Sequence, residues 1–564
     1  MSPIAPADAD QPVRAGPAPS GPDPAAVRAR TAIRERPPGL LRRGGTDSGR
    51  GATDSGRGAT DSGPPGGRRR LLVHGACLLL LAALVRLPSF HRPFWSADEG
   101  YLGTEAAMLR AGGRMYADVV DRKPPLVPWL YEACSALAGT HGLLLVRLLT
   151  MAALALAAVY TARLAERWLG PWAALPAGVL TVAASAALPA PDAMAATFEL
   201  FMLPATAAAL YYGAGGRYFA AGLAVAVATL TKQVGLAPLL PLAVCALTAP
   251  RPRPRRWRDA AALAGGTLIP LLGCAALLGG HRFVFWVFLS SGSYATSPPG
   301  AGEVLRHAWT NLACLLTAFA ACAALVPLLP RRTLRDRSAA ARALVLWLLA
   351  SAAAVSVGWH YYGHYFLQLI PPMALLALRA VGLACRAPAP APSRGPSPLR
   401  RLATRAGRSG VASAVTLSAL AVAAGWTVVA FHTEPPRMHK QLAVARTVSE
   451  LTSPEQRVFV WGMHPEIYWL AERLPASRYL TAGLLTNFSG GGGTRSVGPA
   501  YAVPGAWPVF RRELATAPPC VFVDDSASTP YSLSRYPELR RLLAAGYRPL
   551  ADIEGARVYQ REGC

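Results

Sequence analysis

Long apolar runs separated by short polar gaps organise this chain from Leu71 to Phe431. The first covers Leu71 to Leu87, and others follow at about 143–162, 171–189, 196–212, 217–231, 234–249, 260–279, 304–328, 343–358, 366–384 and 411–431. A helix needs roughly 20 mostly apolar residues to cross the hydrocarbon core of a bilayer. The pattern therefore predicts a polytopic α-helical membrane core of about eleven helices over 71–431. One further stretch, Pro124 to Gly139, is broken by prolines and is expected to lie in the interface, with Trp129 and Tyr131 at headgroup level. After Phe431 the pattern shortens. The β-type runs RVFVWG (457–462), CVFVDD (520–525) and ARVYQ (556–560), with the amphipathic stretches PEIYWLAERL and YPELRRLLAAGY between them, predict a small α/β domain over 432–564.

Residues 1–70 have no such pattern. They are rich in Pro, Gly, Arg and Asp, and from Thr46 they repeat TDSGRGA, a composition that cannot bury a core and reads as a disordered basic tail. The run after Arg68, Arg69 and Arg70 resembles a signal peptide only superficially. The long tail before it and the lack of a small-residue cleavage site favour a first spanning helix with a cytoplasmic N-terminus. Further arginine clusters follow alternate helices: Arg163 and Arg167, RPRPRRWR at 251–258, RRTLRDRSAAAR at 331–342, and the basic stretch at 385–408. Placing these on the cytoplasmic side puts the first outer loop at about 89–142 and the 432–564 domain outside the cell. It also gathers Asp98 to Lys123, Asp192 to Glu199, Lys232, the 281–302 loop and WHYYGHYF (359–366) at one outer face.

Composition fits this reading. The 564 residues are 52% hydrophobic, with mean hydropathy +0.28. The basic excess, 57 Lys and Arg against 31 acids, sits in gaps between apolar runs, so it sets membrane orientation and does not point to nucleic acid. The nine cysteines appear singly, with no CxxC pair, and imply neither a zinc site nor a disulfide framework. Among the 57 basic residues just three are lysine, Lys123, Lys232 and Lys440, which suggests positions where a compact ammonium is wanted. No P-loop, GxSxG or zinc spacing occurs. VDD at Val523 to Asp525 is expected at a strand end, and the NFS tripeptide at Asn487 is a weak sequon.

Candidate chemistry concentrates in SADEGYLGTEAAMLRAGGRMYADVVDRKPPLVPW, Ser96 to Trp129, which holds Asp98, Glu99, Glu105, Asp118, Asp121 and Lys123 although only 16% of the chain is charged. Ionisable groups at a membrane edge are costly and mark functional sites by default. DEGY followed by KPPL, then TKQ at one helix end and GHYFLQLIPP opening a late helix, resembles the GT-C glycosyltransferases over about residues 71–431. The likeness is to the protein O-mannosyltransferase and aminoarabinose-transferase branch. It implies a GT-C-type helical core and transfer of a sugar, with inversion, from a polyprenyl-phosphate donor to a protein, lipid or envelope-glycan acceptor on the outer face. By that resemblance Asp98 is the general base and Glu99 orients it or a basic neighbour. Lys123 and Lys232 bind the carrier phosphate, with Arg122 and Arg147 adding to the same site. Glu199 or Asp192 faces the sugar, and His364 and Tyr365 match the family's HY pair, where a phosphate or sugar contact competes with an aromatic-belt role shared with His360.

No cofactor is implied, and the sequence does not speak for or against a divalent ion near Asp98. Two rival readings are a polyprenyl-linked sugar flippase or exporter, and a non-catalytic homologue whose end domain binds envelope polymer. The gathering of the acids at one face disfavours the first, and intact Asp98, Lys123 and Lys232 disfavour the second.

Overall fold

The computed structural model describes residues 65–290, 299–326, 338–385, 398–488 and 496–564. The expected tail, apart from its last six residues, and parts of the 281–302 loop and of the 331–342 and 385–408 basic clusters lie outside these residues.

A helix stands at each of the eleven apolar runs. In chain order they are α1 (Pro65–Arg86), α4 (Gly142–Leu169), α5 (Ala174–Ala186), α6 (Phe198–Ala214), α7 (Tyr218–Thr231), α8 (Leu239–Thr248), α9 (Arg253–Leu277), α10 (Ala301–Thr317), α11 (Ala339–Val355), α12 (Ile370–Ala384) and α13 (Pro398–His432). Between α1 and α4 lie α2 (Ala97–Arg110) and α3 (Leu126–Ala138). At 1.5 Å per residue, the 13 residues of α3 are too few to cross a bilayer alone. Among the described residues five helical stretches are long and apolar enough to cross a membrane: Arg68–Phe90, Leu126–Leu169, Arg253–Leu277, Gly363–Ala384 and Arg405–His432. Several shorter apolar helices accompany them.

Packing in this bundle relies on small residues. α5 is buried nearly all round through Ala177, Gly178, Thr181, Ala183 and Ala184. A Cβ at Gly178 would stand 2.7 Å from Leu78 of α1. α7 and α9 meet backbone to backbone, because a Cβ at Gly222 would strike the Leu263 carbonyl and one at Gly266 would strike that of Phe219. Such close approach gains van der Waals contact where no water can drive association. The outward faces are as apolar as the buried ones. α1 buries Leu78, Ala82 and Val85 but exposes Leu72, Leu80 and Leu84, as a helix facing lipid does.

The last 127 residues after Arg437 build a four-stranded sheet of order β1-β2-β4-β3 from β1 (Val458–Trp461), β2 (Val521–Asp524), β3 (Tyr547–Ile553) and β4 (Ala556–Arg561). β1 and β2 pair in parallel, Val458 beside Val521, and both are fully buried, which accounts for the unbroken apolar runs VFVW and VFV. β3 and β4 form a hairpin whose turn puts Glu554 and Gly555 at positive φ, with the Gly555 N–H donating to Asp552 Oδ1 at 2.8 Å. Helices α14 (Met438–Glu450), α15 (Glu466–Leu470), α16 (Ala506–Thr516) and α17 (Pro537–Gly546) belong to this part, with a further short helix at Ala482–Thr486.

Two sequence expectations need correction here. Cys520 and Cys564 form a disulfide. Antiparallel pairing of β4 with β2 returns the chain end to Cys520, whose carbonyl accepts from the Arg561 N–H at 2.8 Å. Spacing alone does not reveal that return. PEIYWLAERL is helical only over Glu466–Leu470, because Glu472 turns to φ 54° and ends it. Asp524 closes β2, so VDD does lie at a strand end, and Asn487 is buried at 3% exposure.

Candidate active site

The first outer loop folds as helix, loop, helix. Ser96, extended at φ −147°, precedes α2, so Asp98 and Glu99 fall in its first turn, where the helix dipole favours negative charge. Directly after them, Gly100 and, one turn later, Gly103 let the C-terminal part dock against α2. A Cβ at 100 would strike Glu466, and one at 103 would come within 2.8 Å of the Trp469 ring. Thr104 Oγ1 donates to the Pro465 carbonyl at 3.0 Å across the same contact. The loop from Ala111 to Pro125 then brings back Lys123, held by Tyr116 Oη donating to its carbonyl at 2.8 Å.

A cavity of about 690 Å³ opens at this junction. Its polar wall carries Asp98, Asp121, Arg122, Lys123, Asp192, Lys232, His364 and Tyr365. Its other walls include Val287, Phe288, Ala354 and Val357 from the bundle and Met463, Pro465, Thr481 and Phe488 from the C-terminal part.

Within it Lys123 Nζ stands 3.3 Å from Asp98 Oδ1 and 4.4 Å from the Phe198 ring centroid. Burial alone would raise the Asp98 carboxyl, but the charges of Lys123, His364 and Lys232 and the Lys123 hydrogen bond outweigh it and hold the group at about 2. Lys123 is correspondingly raised: burial lowers it, and Asp98, Asp121 and Glu105 more than reverse that. Lys232 lies just past the end of α7, pairs with Glu199 of α6, and rests 4.1 Å from the Tyr365 ring centroid. Gln233 beside it donates to the carbonyls of Arg122 and, at 2.8 Å, Val287, tying the two cationic segments together.

Asp192 accepts from the backbone N–H of His364 at 3.1 Å and meets its Nδ1 at 2.6 Å. The other ring nitrogen of His364 stands 4.0 Å from Asp98 Oδ2.

Glu99, Arg147 and Glu199 are not on the cavity wall. Glu99 and Arg147 form a buried pair at 3.1 Å with side-chain exposures of 0% and 1%. Glu99 also accepts from the backbone N–H groups of Trp95 at 2.7 Å and Ala196 at 2.8 Å, while Arg147 donates to the Arg92 carbonyl at 2.9 Å. Arg86 binds the carbonyls of Ala193 and, at 2.8 Å, Met194. These contacts fix the start of the outer loop and the segment after Asp192 behind the cavity.

Sequence assigns no role to three residues of this region, Asp121, Gln233 and Glu105. Asp121 lines the cavity, and Gln233 cross-links its cations; the neighbours Lys123 and Lys232 were the available signal. Glu105 is fully buried, and among the described residues its carboxylate oxygens have no hydrogen-bond partner. Burial and the Asp121 charge push it well above the carboxylate range, and burial raises Asp121 as well. Among the described residues no group of three or more His, Cys, Asp or Glu is placed to hold a metal ion. Asp98 and the ammonium groups of Lys123 and Lys232 thus share one largely apolar chamber with Asp121, Arg122 and Asp192, and the first three groups suit a proton acceptor beside a bound anion.

Residues 122–278 match the dolichyl-phosphate-mannose-protein mannosyltransferase family. ArnT from Cupriavidus metallidurans bound to undecaprenyl phosphate is similar in structure, with TM-score 0.58 and 18% identity over 87% of this chain and 98% of that one. The chain has a GT-C glycosyltransferase fold. The same ArnT in the apo state gives TM-score 0.56 and 18% identity over 88% and 98% of the two chains. An Archaeoglobus fulgidus oligosaccharyltransferase in the apo form gives 0.50 and 14% over 80% and 69%. No curated protein matches the sequence. With its apolar helices and this fold, the chain is a membrane protein.

Proposed function

We propose that this protein transfers a sugar from a polyprenyl-phosphate donor to a hydroxyl acceptor, with inversion, at the outer face of the cytoplasmic membrane. The observation that carries the reading is the convergence of Asp98, Lys123 and Lys232 on one chamber walled in part by apolar helices. The likeness to ArnT bound to undecaprenyl phosphate adds support. In this reading the donor phosphate takes Lys123 and Lys232 as counter-ions and Arg122 and Tyr365 as neighbours. The acceptor oxygen attacks the anomeric carbon from the opposite side, and Asp98 takes its proton. Glu99 and Arg147 position Asp98, Glu199 positions Lys232, and Asp192 acts through His364. The acceptor is a protein, lipid or glycan of the cell envelope.

The deciding experiment incubates the purified protein in lipid with mannosyl undecaprenyl phosphate and envelope acceptors, and compares envelope glycans and glycoproteins of a deletion strain with its parent by mass spectrometry. No sugar transfer in the first and identical glycans in the second would sink the reading.

This reading also sets a topology, with residues 1–70 in the cytoplasm and 432–564 outside. A reporter fused after Arg561 and active only outside the cytoplasm is the expected result. Activity only in the cytoplasm overturns it.

Lys232 tests the phosphate assignment without changing charge. Its side chain is 12% exposed, with Nζ wedged between Glu199 and the Tyr365 ring, a space shaped for a compact ammonium. Lys232→Arg is therefore expected to weaken undecaprenyl phosphate binding by about tenfold or more. Unchanged affinity at matched membrane expression would mean that the lysine merely snorkels to the interface.

A further inference from the structure

We propose that His364 is the catalytic acid of this transfer, giving a proton to the departing phosphate while Asp98 takes the acceptor's, with Asp192 as its positioning residue; the inference rests on the function proposed above. The geometry gives the ring two distinct ends. Nδ1 lies 2.6 Å from Asp192 Oδ1, which also accepts the His364 backbone N–H at 3.1 Å, so the Nδ1 end is occupied as a donor. Nε2 faces the cavity, 4.0 Å from Asp98 Oδ2. When one imidazole nitrogen is held as a donor, proton exchange falls to the other.

The local backbone is shaped for this contact. A Cβ at Gly363 would stand 2.6 Å from Asp192 Oδ2, so position 363 must lack a side chain for Asp192 to reach residue 364. The charged groups that face His364 are Asp98 from α2, Asp192 from the turn Ala190–Met194, Glu199 from α6 and Lys232 after α7. The Tyr365 ring packs edge-on at 4.8 Å and also carries Lys232, so the imidazole and the second lysine flank one aromatic surface.

The proton balance closes. The acceptor oxygen bonds to the anomeric carbon, and its proton goes to Asp98. The bond from that carbon to the phosphate oxygen breaks with its electron pair on oxygen, and this oxygen receives the Nε2 proton of His364. The proton on Asp98 then passes to Nε2, restoring both groups. A phosphate monoester has its second pKa near 6 and free histidine about 6.5, so the two kinds of group are matched closely enough for general acid catalysis. Without it the leaving group departs as a dianion whose second charge must be met by Lys123 and Lys232, each already paired with a carboxylate.

The test measures proton uptake when undecaprenyl phosphate binds to the full-length protein at pH 8, by calorimetry in buffers of different ionisation enthalpy. Wild type is expected to take up about one proton, and His364→Gln close to none while still binding the lipid. Asp192→Asn, which preserves shape, is expected to lower the uptake and guards against misfolding of the glutamine variant. With mannosyl undecaprenyl phosphate as donor, kcat of His364→Gln should fall about 10²-fold with KM within about threefold. Equal uptake by wild type and both variants, or a change in KM without a change in kcat, overturns the assignment and leaves the function intact. Failure of the wild type to bind undecaprenyl phosphate overturns both.

Discussion

Asp98→Asn is expected to lower kcat by about 10²- to 10⁴-fold while undecaprenyl phosphate binds at least as tightly as to wild type. The amide keeps the shape of the carboxylate but cannot take a proton. Its loss of charge also releases Lys123, whose Nζ otherwise sits 3.3 Å from Asp98 Oδ1. In the free protein Asp98 is held at about 2, below its unfolded value, so the carboxylate persists throughout the physiological range. The stability it contributes is fully present above the unfolded carboxylate pKa of about 3.9 and is lost as pH falls through about 2. A carboxylate so strongly held by Lys123 is a weak base. Donor phosphate that draws Lys123 away would make it a stronger one, so base strength and donor occupancy should rise together. Steady-state transfer and lipid binding, measured on the same purified variant, separate the two effects. A fully active asparagine variant would remove Asp98 from the mechanism.

The bundle was legible because crossing a bilayer imposes a length on apolar runs that sequence displays directly, and each of the eleven runs carries a helix. The GT-C resemblance was legible because DEGY, KPPL, TKQ and GHYF are local words. What they meet in space was less so. Arg147 reads as one more basic residue at the start of an apolar run, yet it ends beside Glu99, 48 residues earlier in the chain. Nothing local marks that partner. The C-terminal part shows the same limit. The buried strands β1 and β2 are continuous apolar words, whereas β3 (YRPLADI) mixes polar and apolar residues, contains a proline and has no such signature. The wall that Thr481 and Phe488 contribute to the cavity depends on docking through Gly100 and Gly103, which a sequence without its fold does not show.

Arg147→Met is expected to destabilise the protein by about 3–5 kcal/mol. The pair with Glu99 is buried, with side-chain exposures of 1% and 0%, so removing the cation leaves a carboxylate without its counter-charge. Glu99 would keep only its bonds from the Trp95 and Ala196 N–H groups, and the Arg92 and Pro93 carbonyls would lose their donor. Adding Glu99→Gln should recover part of the loss, since a neutral amide no longer needs a cation, and that recovery is the signature of a structural pair. The competing expectation from the family resemblance, that Arg147 touches the carrier phosphate, predicts a different pattern. Unfolding would then change little, undecaprenyl phosphate affinity would fall, and Glu99→Gln would rescue nothing. Unfolding of the single and double variants in the same detergent, with lipid affinity measured on whatever remains folded, distinguishes the two. The position of Arg147 behind the cavity wall, bound to the loop that precedes α2, favours the first outcome: Arg147 supports the site by holding Glu99, and through it the first turn of α2 that presents Asp98.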